Sequence, residues 1–126
     1  MNNRPVLIDI NPFHLFLPAL VSILHRISGI LIFFLIPLML WLLQQSLQSE
    51  QQFAALQAFF NQVWIKIIFG LCILAFCFHL FAGIRHLLMD IHIADSKRGG
   101  RVGAGMVLAL FLLSIIVVTV AIVWGR

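Results

Sequence analysis

Charge is what this sequence has least of. Of its 126 residues only 10% are charged, against 63% hydrophobic, a balance that excludes a water-soluble domain of this size. Tyrosine is absent, so any phenol in a site built on this chain must come from another polypeptide. Cysteine is limited to Cys72 and Cys77. Five apart within one apolar run, they fall on different faces of a helix and predict neither a disulfide nor a CxxC metal site. No CxxCH occurs, which excludes covalently attached heme but not heme held through its iron alone. The opening "MNNRPVLIDINPF" lacks a charged segment leading straight into an apolar stretch and a small-residue cleavage site, so no cleavable signal peptide is expected.

What is present is apolar sequence in long runs. Ser28 to Leu43, Val63 to Leu88 and Val102 to Trp124 each approach the ~20 residues that a helix needs to cross ~30 Å of hydrocarbon. The sequence therefore predicts an all-α membrane protein with one membrane-anchor domain. Its expected parts are an N-terminal segment (1–17), a first span (18–44), an outer loop (45–62), a second span (63–92), an inner loop (93–101) and a third span (102–125). Pro18 suits the first turn of the first helix, which leaves Pro37 as the one proline inside a span.

The few charges set the orientation. Arg4, Arg26, Arg85, Lys97, Arg98 and Arg101 fall on one side, and only Lys66 and Arg126 on the other. This asymmetry predicts a cytoplasmic N-terminus and an outward C-terminus. Trp41, Trp64 and Trp124 then all lie at the outer interface, which indole rings prefer. The formal charge of +4 is spread over several membrane-flanking segments and forms no stripe, so no nucleic-acid binding is expected. In the outer loop, Phe53, Leu56 and Phe60 recur at helical spacing and predict a short amphipathic surface helix. The inner "ADSKRGGRVGAG" has neither a preceding strand nor a GK[ST], and reads as a flexible turn and not a phosphate cradle.

Ionisable groups inside spans cost ~2.5–3.5 kcal/mol each at the centre on insertion scales, so each needs a partner or a task. His79 lies about 22 Å of helix beyond Trp64 and about 16 Å before Asp90, near mid-membrane. It reads either as a neutral histidine bonded to a neighbouring helix or as a metal or heme ligand. On its face Cys72, Ala75, Ala82, Gly83 and His86 form a strip of mostly small side chains, suited to a flat macrocycle or to a close helix contact. Arg85 and His86 are placed to meet porphyrin carboxylates or to snorkel, and Asp90 to orient one of them. On the first span, Ser22 and Arg26 share a face with Gly29. They read as an anion or carbonyl site with room for close approach, or as a headgroup anchor. His25 points about a quarter-turn away.

The segments "RPVLIDI" and "SILHRIS", followed by "HLFAGIRHLLMD", closely resemble the two signatures of the cytochrome b556 membrane-anchor family of succinate dehydrogenase, respiratory complex II. Arg4, Pro5, Ser22, His25, Arg26, Ser28, His79, Gly83, Arg85, His86 and Asp90 carry the match. The resemblance implies that the three spans form half of a helical bundle completed by a second anchor subunit. It implies heme b bound with that subunit, with His79 as one axial iron ligand and His25, Arg26 and His86 near the heme propionates. It further implies that Ser22 and Arg26 help hold a carbonyl of ubiquinone. An iron-sulfur subunit and a flavoprotein subunit, carrying iron-sulfur clusters and FAD, would deliver electrons from succinate. The chain would then be a component of an enzyme and not an enzyme alone, and a bacterial inner membrane is expected from the lack of a transit peptide.

Two other readings remain at this level. A fumarate reductase anchor has the same architecture with a low-potential quinol. A small transporter or assembly protein would instead use His79 and Arg26 to line a substrate path, although the spans lack Gly/Pro-broken halves.

Overall fold

A computed structural model describes residues 12–93 and 96–125, with side chains from Phe16 onward except that of Lys97. Arg4, Pro5 and Arg126, which entered the sequence reading, lie outside the described residues. The chain runs through α1 (Pro12–Ser46), α2 (Glu50–Phe60), α3 (Val63–Asp90) and α4 (Lys97–Trp124). Three helical stretches, Phe16–Ser46, Val63–Asp90 and Arg98–Trp124, are long and apolar enough to cross a membrane. The fold is an all-α membrane bundle with α3 at its centre, packed against both α1 and α4.

Helix α1 begins earlier than the sequence predicts. Pro12 stands at its first position, where a missing N–H costs nothing, and Pro18 and Pro37 are both interior. Each interior proline removes one backbone hydrogen bond. Spanning helices tolerate this where neighbouring groups re-satisfy the freed carbonyl. At 35 residues, α1 is about 52 Å long, so it tilts or projects beyond ~30 Å of hydrocarbon.

Serine caps explain the starts of α2 and α4, and a backbone closure explains the end of α3. Ser49 is the N-cap of α2, its Oγ accepting from the Gln52 N–H at 3.1 Å, in a Ser-x-x-Gln sequence that matches a capping box. Ser96 does the same for α4, accepting from the Gly99 N–H at 3.0 Å. The expected inner turn is thus already helical from Lys97, because a serine cap satisfies the first free amides despite the neighbouring glycines. At the end of α3, His92 takes φ 60°. The Ile93 N–H bonds the Leu88 carbonyl at 2.9 Å and the His92 N–H bonds that of Met89 at 3.0 Å, a Schellman closure.

Little apolar surface is hidden inside the chain. Val21, Phe78, Ala82, Ala104 and Val107 form the core, flanked by Leu17, Phe81, Leu108 and Phe111. Phe78 and Phe111 meet edge to face at 5.3 Å. Lipid tails are as apolar as leucine, so packing and close backbone approach hold such a bundle, not expulsion from water. Gly70 shows the closeness, since a Cβ there would lie 2.8 Å from Ile122 Cδ1 and 3.2 Å from Val118 Cγ1. At the same end the Lys66 Nζ donates to the Gly125 carbonyl at 3.4 Å, a cation on the exposed carbonyls of a helix terminus.

Helix α2 is the expected surface helix, with a different inner face. Leu56, Phe59 and Phe60 line an apolar cavity against α1 and α3, and Phe60 meets Phe69 at 5.4 Å. Phe53 turns outward and is 56% exposed.

Candidate functional site: a histidine stack between two spanning helices

His79 and His86 are seven residues apart on α3, two turns or about 10.5 Å along the axis. The imidazole of His25, from α1, enters the gap between them. Its centroid lies 4.2 Å from that of His79, with planes 13° apart, and 4.9 Å from that of His86, with planes 19° apart. Gly83 makes the room, because a Cβ there would sit 3.3 Å from His25 Nε2.

The hydrogen bonds fix the tautomer of His79. Its Nδ1 lies 3.2 Å from the backbone carbonyl of His25 and 3.0 Å from Ser28 Oγ. A carbonyl only accepts, so Nδ1 must carry the proton. Ser28 agrees, since its single hydroxyl proton is already donated to the His25 carbonyl at 2.8 Å, leaving its oxygen to accept from Nδ1–H. The Nε2 lone pair of His79 is therefore the free one. Stacking occupies the ring faces, whereas a metal is bound in the ring plane, so the two do not compete. His86 follows the same logic, donating from Nδ1 to the Ala82 carbonyl at 2.7 Å.

A partner fixing one imidazole nitrogen while the other binds metal is the usual arrangement around a ligating histidine. Among the described residues no group of three or more His, Cys, Asp or Glu side chains is disposed to hold a metal ion. His79 would therefore suit an iron that a macrocycle brings with its own donors, held here through Nε2 alone. The residues present fit a heme on those terms.

Several sequence readings change here. The strip on α3 is a helix contact: His79 and Gly83 meet α1, and Ala82 lies in the core with Val21 and Ala104. Gly29 does not leave a gap for a ligand, because the His79 ring fills it, with Cε1 3.0 Å from where a Cβ would stand. Arg85 does not join His86. It is 7% exposed and crosses to α4, its Nη2 donating to the Gly100 carbonyl at 3.3 Å. Asp90 is exposed and makes no ion pair with a described residue.

The stack thus gathers His25, His79 and His86. Ser22 is half-buried and Arg26 exposed, and four residues apart they share a flank of α1 turned from the core. Sequence reasoning missed Ser28 as the partner of His79. The available signal was its register with Val21 and His25, seven and three residues earlier on the inner face.

These features define a class: a helical membrane protein with three spans and a stack of imidazoles between two of them. The model of the family described as "Succinate dehydrogenase/Fumarate reductase transmembrane subunit" matches residues 1–119. A relative in Coxiella burnetii, named succinate dehydrogenase cytochrome b556 subunit, is 42% identical over 96% of this chain and 95% of its own length. A protein of the same name in Rickettsia prowazekii is 31% identical over 71% of this chain and 69% of its own. The cytochrome b560 subunit of Chondrus crispus is 37% identical over 71% and 73%. The chain belongs to the succinate dehydrogenase/fumarate reductase transmembrane subunit family. That membership removes the transporter reading.

Proposed function

We propose that this chain is a membrane-anchor subunit of succinate:quinone oxidoreductase, respiratory complex II. It holds heme b jointly with a second anchor subunit and forms part of the site where ubiquinone is reduced. The observation that carries the proposal is the Nδ1–H of His79, held by Ser28 and the His25 carbonyl, which reserves Nε2 for iron. When bound, the heme supplies a reversible one-electron store. Electrons from succinate reach the membrane through the FAD and iron-sulfur centres of the flavoprotein and iron-sulfur subunits.

The chain's own contribution is binding and electrostatics. Arg26 and Ser22, on the open flank of α1, hold a quinone carbonyl, and the guanidinium stabilises the negative charge that develops on that oxygen in a low-dielectric setting. Their exposure leaves the rest of the pocket to be closed by neighbouring subunits. His25 and His86, with Arg26, lie toward the propionates. The chain sits in a bacterial inner membrane with its N-terminus cytoplasmic, as Arg85, Arg98 and Arg101 at one end of the bundle and Trp41, Trp64 and Trp124 toward the other support. The family description spans both reaction directions, and the relatives' names favour succinate oxidation.

The test is a visible spectrum of the dithionite-reduced complex purified in detergent. The wild type should show a b-type α-band and Soret shift. His79→Ala should lose them while its three spans remain inserted; an unchanged heme signal in that variant would falsify the assignment.

A further inference from the structure

A cavity of about 230 Å³ opens between the last turns of α3 and the first turns of α4, walled by Phe81, Ile84, Leu88, Met106 and Leu110. Apolar throughout apart from one side chain, it has Arg85 in its lining. Arg85 is 7% exposed as a residue. Among the described residues its Nε has no hydrogen-bond partner, and Nη2 reaches only the Gly100 carbonyl, at 3.3 Å. A neutral carbonyl does not offset a charge taken out of water, and a buried cation without an anion is costly. Arg85 stands five residues before the end of α3, about 7.5 Å inward, at the depth where hydrocarbon gives way to headgroups. Arg98, exposed, and Arg101, half-buried, lie at the same end.

We propose that this cleft is a binding site for an anionic phospholipid, its phosphate paired with Arg85 and one acyl chain laid along the groove between α3 and α4. A planar guanidinium suits a phosphate through paired N–H donors. The apolar walls suit a chain and not a soluble ion. The site lies away from the histidine stack and is independent of the heme and quinone reading.

The intact detergent-solubilised complex, delipidated and titrated with phosphatidylglycerol or phosphatidylcholine under native mass spectrometry, tests this. Phosphatidylglycerol should bind at least ten-fold more tightly than phosphatidylcholine. Arg85→Gln should abolish that preference. Met106→Trp, at a rim position 60% exposed, should weaken phosphatidylglycerol binding at least ten-fold by filling the groove, and it decides the matter should Arg85→Gln fail to assemble. Equal affinity for the two lipids, or an unaltered Met106→Trp, overturns the proposal. Displacement of phosphatidylglycerol by millimolar inorganic phosphate also overturns it in favour of a free-anion site. So does a ten-fold gain in Asp95→Asn, which would mean that this chain already supplies the counter-charge.

Discussion

Ser28 of α1 and His79 of α3, 51 residues apart in sequence, meet at 3.0 Å between Oγ and Nδ1. The hydroxyl is spent on the carbonyl of His25, so it can only accept from the imidazole. One short polar side chain therefore fixes both the tautomer and the ring orientation of the residue on which the proposed cofactor depends.

Ser28→Ala should leave the helices in place, because the His25 carbonyl still receives Nδ1–H, but should loosen the ring. Loss of such an outer partner typically costs 10–100-fold in metal affinity. Heme retained per complex after gel filtration, read from the reduced-minus-oxidised spectrum, should fall. Ser28→Thr, which keeps the hydroxyl, should restore it.

Gly29→Val should act on the same ring by crowding. A Cβ at this position stands 3.0 Å from His79 Cε1, and a branched side chain must displace the imidazole or part α1 from α3. Overpacking of this kind costs roughly 1–3 kcal/mol. Lower heme content with a lowered melting temperature is expected; unaltered values for both would show that α1 does not close on His79.

Arg26→Leu should separate two activities. Reduction of quinone by succinate should fall ten-fold or more, while flavin-dependent succinate oxidation with an artificial acceptor stays near wild type. Equal loss of both would place Arg26 in assembly and remove it from the quinone site.

At the opposite end, Gly70→Leu should destabilise the bundle, again by roughly 1–3 kcal/mol. The new side chain would meet both Ile122 and Val118. Gly70→Ala should be milder, since its nearest neighbour is the movable Cδ1 of Ile122. Melting temperatures of the two variants in detergent check the order.

Much of the fold is legible in the sequence, and the reason differs from residue to residue. The three spans come from run length alone, because an unsatisfied backbone in hydrocarbon leaves no alternative to a helix of sufficient reach. The surface helix is readable from Phe53, Leu56 and Phe60, but its inner face is not: Phe53 stays out of the cavity that Leu56, Phe59 and Phe60 line, and Phe59 is itself still 43% exposed, since in an interfacial helix with an apolar residue on several sides the neighbours choose. The glycines at the start of α4 suggest a turn, yet Ser96, a strong cap, outweighs their weak helix propensity.

The sequence by itself determined the number of the spans and the spacing that lets His25 fit between His79 and His86 once the helices meet. Only the tertiary structure decided that His79 faces Ser28, that Gly29 is filled by an imidazole and that Arg85 turns to α4. The physical reason is that helical periodicity fixes which residues share a face but not what that face meets. In water an apolar stripe would point inward, whereas α3 is apolar all round and every face is compatible with lipid. Partner choice therefore passes to small residues and isolated polar groups, which act only when another helix is beside them.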